Sequence, residues 1–121
     1  MYKGTHIDLD YIYKAAEGDS GFIREMAETF IADTPRMLDK MKTLSSCKDW
    51  KSVGDLAHKL KTSILFMGIH SLSGIIKEVE ILGRNGVDTE KIPGRIEKIC
   101  NICDAAIEEL KDFLHNRIEF T

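Results

Sequence analysis

The sequence predicts an all-α fold, an up-and-down antiparallel four-helix bundle with a short extra N-terminal helix. Apolar residues recur at three- and four-residue steps through every long segment, and no segment shows the two-residue alternation of a half-buried strand. The connections between these segments are short, which makes neighbouring helices antiparallel. A chain of 121 residues with 43% hydrophobic content is large enough for one self-sufficient core, so residues 1–121 are expected to form a single domain.

The first helix is expected over residues 7–16, where Ile7, Leu9, Ile12 and Tyr13 or Ala16 share a face and Asp8 is available as a cap. Gly18 can end it, and Asp19 or Ser20 can cap its successor. From Gly21 to Leu44, the positions Ile23, Ala27, Phe30, Thr34, Met37, Met41 and Leu44 form one stripe. Pro35 lies within that helix; because the stripe continues in register past it, a kink is expected rather than two helices. Asp49 caps a third long segment from Trp50 to Met67, which Gly68 stops in the left-handed conformation. A helix beginning around His70–Ser71 carries Leu72, Ile75, Ile76, Val79 and Leu82 and ends in the turn Gly83 to Gly86. The last helix starts at Asp88 or Thr89 and places Ile92, Ile96, Ile99, Cys103, Ala106, Leu110 and Phe113 on one face, and the tail from Asn116 is expected to fray.

Composition excludes several functional classes. A net charge of −3 offers no polycationic surface for nucleic acid, and no window approaches the roughly 20 apolar residues of a membrane span. The N-terminal residues lack the apolar run of a signal peptide, so a cytoplasmic location is expected. Cys47, Cys100 and Cys103 are too few and too unevenly spaced for a disulfide framework. Cys100 and Cys103 form a C-x-x-C inside a helical pattern with no second ligand pair, which reads as core packing. There is no Ser-His-Asp order and no glycine-rich phosphate loop, so the chain has no visible equipment for autonomous catalysis.

The segment Leu56 to Leu72 holds the residues with chemical potential. On a helix from Trp50 to Met67, Val53, Leu56, Ala57, Leu60, Ile64 and Met67 face the core, and His58 falls about 150° away from that stripe. Gly54, Lys61 and Leu65 lie on the same flank, with Thr62 one turn on. Glycine costs about 1 kcal/mol relative to alanine inside a helix, so Gly54 reads as clearance beside the ring. A nearby cation disfavours the protonated imidazole, which keeps a nitrogen lone pair for nucleophilic attack. Lys61 would then compensate the charge of an arriving phosphoryl group, with Thr62 as a hydrogen-bond donor. His6, His70 and His115 have no comparable surroundings, and the bland alternative for His58 is an incidental histidine on a helical adaptor.

These residues resemble the histidine-containing phosphotransfer (HPt) domains of bacterial multistep phosphorelays. The family pattern is approximately A-H-x-L-K-G-x-x-x-x-x-G-x-x-x-L, and Ala57, His58, Leu60, Lys61, Gly68 and Leu72 occupy its places. The resemblance extends to the proline of the preceding helix, the Asp49-Trp50 entry, Glu80 and the final long helix, while Thr62 stands where the family usually has glycine. It implies that His58 accepts a phosphoryl group, through Nε2, from the aspartyl phosphate of one receiver domain and passes it to the aspartate of another. It also implies Lys61 as the phosphate-neighbouring cation, Gly68 as the structural turn, and a docking surface that includes Gly54, Thr62 and Leu65. The implied partners are response-regulator receivers and a hybrid sensor histidine kinase, the chain being a monomer that binds no cofactor and the Mg²⁺ belonging to the receiver. H-K-L-K-T is also similar to the phosphoacceptor helix of sensor kinases, but Lys59 replaces the acidic residue used there, so a kinase is not the expected reading.

Overall fold

In the computed structural model, which describes residues 6–116, five α-helices follow one another: α1 (Leu9–Ala15), α2 (Ser20–Ser46), α3 (Trp50–Phe66), α4 (Ser73–Asn85) and α5 (Ile92–Asn116). No strand occurs among the described residues. Each of the first three helices starts at an aspartate whose side chain accepts from a backbone N–H: Asp8 from Tyr11 at 3.1 Å, Asp19 from Phe22 at 3.0 Å and Asp49 from Ser52 at 3.4 Å. These bonds satisfy donors that have no partner within the helix.

The α2 helix runs unbroken through Pro35, which is exposed and so loses its backbone donor on the solvent side. Ile23, Ala27, Phe30, Thr34, Leu38 and Met41 are buried along its inner face. α3 ends in a Schellman motif: Gly68, at φ 68°, donates to the Leu65 carbonyl at 3.0 Å, and Ile69 donates to that of Ile64 at 3.2 Å. A β-carbon on Gly68 would meet Asp8 Cβ at 2.7 Å, so this turn is also where the N-terminal segment seats.

Two helix starts differ from expectation. His70–Leu72 and Thr89–Lys91 are single 3-10 turns, and the α-helices proper begin at Ser73 and Ile92. A short 3-10 turn is a common way to enter a helix, and periodicity does not distinguish it from a first α-turn. Pro93 is the second residue of α5, where its missing N–H would have had no partner in any case. The expected fraying of the tail concerns residues beyond those described, apart from Asn116 at the end of α5.

The long helices form a ring in which α2 packs on α3, α3 on α4, α4 on α5 and α5 back on α2. Leu60, Ile64, Ile76, Ile99, Leu110 and Phe113 are among the side chains essentially removed from solvent. Each contributes about 1.5–3 kcal/mol relative to exposure. The segment before α1 is tied across one end, where the His6 and Ile7 amides donate to the Glu109 carboxylate of α5 at 2.9–3.1 Å. Asp8 N–H donates to Met67 O at 3.4 Å, and Tyr13 meets Phe113 edge to face. Among these pairs, α3 and α4 pack most extensively.

Candidate functional site on helices α3 and α4

The close packing of α3 on α4 depends on two glycines. A β-carbon on Gly54 would stand 2.7 Å from the Arg84 backbone nitrogen and 2.9 Å from both Arg84 Cγ and the Glu80 carbonyl oxygen. One on Gly83 would stand 2.6 Å from Trp50 O and 2.8 Å from Gly54 N. These distances lie inside any ordinary contact, so both positions need glycine for the backbones to approach. Gly54 is buried and therefore is not part of an exposed flank. The space its missing side chain leaves is taken by α4, not by clearance beside the His58 ring, and a docking partner has no access to it.

Because the helices run antiparallel, one turn beyond Gly54 on α3 meets one turn before Arg84 on α4, and that pairing sets His58 against Glu80. His58 Nδ1 lies 2.7 Å from Glu80 Oε2. Lys61 Nζ donates to Glu80 Oε1 at 2.9 Å, and Arg84 Nη1 donates to Oε2 at 2.8 Å. The carboxylate thus receives three donors, which accounts for its tolerance of a nearly buried position, with 10% of its side chain exposed. Its pKa is held below the ordinary 4.5, first by the hydrogen bond from Lys61 and also by that from His58, against burial, which acts upward. Arg84 is anchored at its other end, where Nε donates to Asp55 Oδ1 at 3.0 Å.

An ionised carboxylate only accepts hydrogen bonds, so Nδ1 of His58 carries the proton and, in the neutral ring, Nε2 carries the lone pair. The His58 side chain remains 54% exposed, which leaves Nε2 open to an incoming group. Lys61 is 27% exposed and committed to Glu80, so the cation does not face the imidazole alone: a carboxylate stands between them. Thr62 is exposed on the same surface, and Leu65 is 37% exposed further along α3. Near the end of α3, Phe66 and Phe22 of α2 pack edge to face with centroids 5.7 Å apart, Phe22 being 41% exposed.

Asp55 and Arg84 were not legible as site residues, and Glu80 was marked only through the family resemblance. The available signal was the Glu80–Arg84 pair at i,i+4, with Gly83 beside it in an otherwise helical segment. Both carboxylates near His58, Glu80 and Asp55, are already engaged by cationic side chains, so this donor set does not fit Mg²⁺. Cys100 and Cys103 are buried within α5 as free thiols, and burial pushes Cys103 up to about 12.

Comparison with curated proteins gave no match. Among solved structures, histidine-containing phosphotransfer protein B (HptB) from Pseudomonas aeruginosa PAO1 superposes with a TM-score of 0.81 at 22% sequence identity, covering 91% of this chain and 95% of that one. At that identity the likeness speaks for the fold. The family model described as Hpt domain matches residues 25–116, which span most of α2 and all of α3, α4 and α5. The chain therefore belongs to the Hpt domain family, the histidine phosphotransfer modules of phosphorelays.

Proposed function

We propose that His58 is the phosphoacceptor of this domain, taking a phosphoryl group at Nε2 from the aspartyl phosphate of one receiver and passing it to the aspartate of another. The observation that carries the proposal is the 2.7 Å contact between His58 Nδ1 and Glu80, which supports a proton on Nδ1 and a lone pair on Nε2. In the forward step, the Nε2 lone pair forms the N–P bond while the acyl P–O bond breaks and the receiver aspartate leaves as a carboxylate. Nδ1 keeps its proton, so the ring becomes cationic and Glu80 compensates it directly. Lys61 sits close enough to turn toward the phosphoryl oxygens, with Thr62 as a further donor.

The receiver docks over the exposed surface of α3, with Leu65 as an apolar contact and the Phe22–Phe66 pair extending that surface toward α2. It supplies the Mg²⁺, since the carboxylates here are committed to cations. The chain acts as one domain and a monomer in the cytoplasm, as an intermediate without kinase activity of its own, and a hybrid sensor histidine kinase is the upstream source of phosphate. No helix among the described residues is long and apolar enough to cross a membrane.

The test is to incubate the protein with a receiver domain charged by acetyl phosphate in the presence of Mg²⁺. The expected product is an acid-labile, base-stable phosphate mapped to His58 and missing from His58→Gln. Label retained by His58→Gln would remove the proposal, and a dimer in solution would favour a sensor-kinase phosphoacceptor helix instead.

A further inference from the structure

The contacts of Arg84 go beyond what a surface ion pair requires. Its guanidinium is a fork: Nε reaches Asp55 on α3 at 3.0 Å while Nη1 reaches Glu80 Oε2 at 2.8 Å, the same oxygen that receives His58 Nδ1. Its stem is held as well, because its Cγ lies against Gly54, where a β-carbon would come within 2.9 Å. A lysine at this position could supply the charge but not two directed bonds in one plane.

Lys61 and Arg84 therefore have different standing beside Glu80. Lys61 binds Oε1 through a flexible stem, and a phosphoryl dianion arriving at Nε2 competes with Glu80 for its ammonium group. If Lys61 were the only other group holding Glu80, its departure would leave the nearly buried carboxylate anchored by the imidazole alone and free to turn away from Nδ1. Arg84 does not have to move. It is tied to Asp55 on the helix that carries His58, so the oxygen facing Nδ1 stays in place.

We propose that Arg84 is a positioning residue for phosphoryl transfer: clamped between Asp55 and Glu80, it keeps the Glu80 carboxylate aimed at His58 Nδ1 while Lys61 turns to the phosphoryl group. The proposal rests on His58 being the phosphoacceptor. It assigns Arg84 no contact with the phosphate, and it makes Asp55 part of the same device.

Phosphoramidate serves as the probe, since its P–N bond passes the phosphoryl group to an imidazole with loss of ammonia and no receiver is needed. Wild type, Arg84→Gln and Asp55→Asn are compared by long-range proton–nitrogen correlation spectra of the histidine ring and by the rate of phosphohistidine formation. In the wild type the Nδ1–H tautomer dominates. In Arg84→Gln the ring shifts toward the Nε2–H tautomer and phosphorylation slows about tenfold, short of the roughly 100-fold that a full 1 Å misplacement costs. Asp55→Asn moves both readouts in the same direction by less, and it carries the test if Arg84→Gln does not fold. An unchanged tautomer with a rate within about twofold of wild type in the folded variants overturns the proposal. If the wild type takes no phosphate on His58, the phosphoacceptor assignment falls, and the tautomer measurement still decides the part played by Arg84.

Discussion

Replacing Gly54 or Gly83 by alanine sets two physical effects against each other, and the structure says which one wins. Helix propensity alone favours alanine by about 1 kcal/mol at an interior helical position. Against that, the new β-carbon would lie 2.7 Å from the Arg84 nitrogen at position 54, or 2.6 Å from the Trp50 oxygen at position 83. Both contacts fall roughly 0.7–0.8 Å short of ordinary van der Waals separation, and the atoms met are backbone, so no rotamer change relieves them. The helices must separate, which costs toward the upper end of the about 1–3 kcal/mol typical of overpacking. The net expectation is a loss of about 2 kcal/mol, or about 6–10 °C in Tm for a chain of this size. Thermal and urea unfolding followed by circular dichroism measure it. Gly74→Ala and Gly94→Ala are internal controls, since a β-carbon there meets nothing within 4 Å, and they should be neutral or slightly stabilising. A Gly54→Ala protein as stable as wild type, or more so, would refute the role given to the α3–α4 approach.

Two further outcomes follow from the charged and thiol groups. Glu80 has a pKa lowered by its bond from Lys61, so the unfolded chain binds that proton more readily. The stability it contributes is complete above the ordinary 4.5 and is lost as pH falls through the lower folded value. Urea midpoints for wild type and Glu80→Gln should therefore converge below pH 4.5, and a gap that stays constant down to pH 3 would contradict the assignment. Among the cysteines, exposed Cys47 should react with a thiol reagent at pH 8 on mixing, whereas Cys100 and Cys103 wait for unfolding, Cys103 being pushed up to about 12. A second thiol reacting at the Cys47 rate would show that the α5 core opens far more readily than its burial implies.

What the sequence discloses about this molecule is divided by a physical boundary, the difference between order within a helix and register between helices. The stripe Ile23, Ala27, Phe30, Thr34 and Met41 is legible because it is repeated every turn along one element. The Asp8, Asp19 and Asp49 caps are equally legible, because each acts on an amide three residues away. The His58 surroundings are of the other kind. Nothing in the spacing of α3 shows that Glu80 on α4 lies beneath the ring, since that depends on how far one helix slides past the other. Gly54 illustrates the same limit. It lies about 40° around the helix from His58, on the side toward the neighbouring helix, where one face cannot tell clearance for a ring from clearance for another backbone. The contact of Gly54 with Gly83 and Arg84 resolves it: close approach at that level fixes the register, and the register brings Glu80 to Nδ1 one turn away. The tautomer of His58 is thus a property of the helix pair, and substitutions at the two glycines should alter the chemistry of a histidine they do not touch.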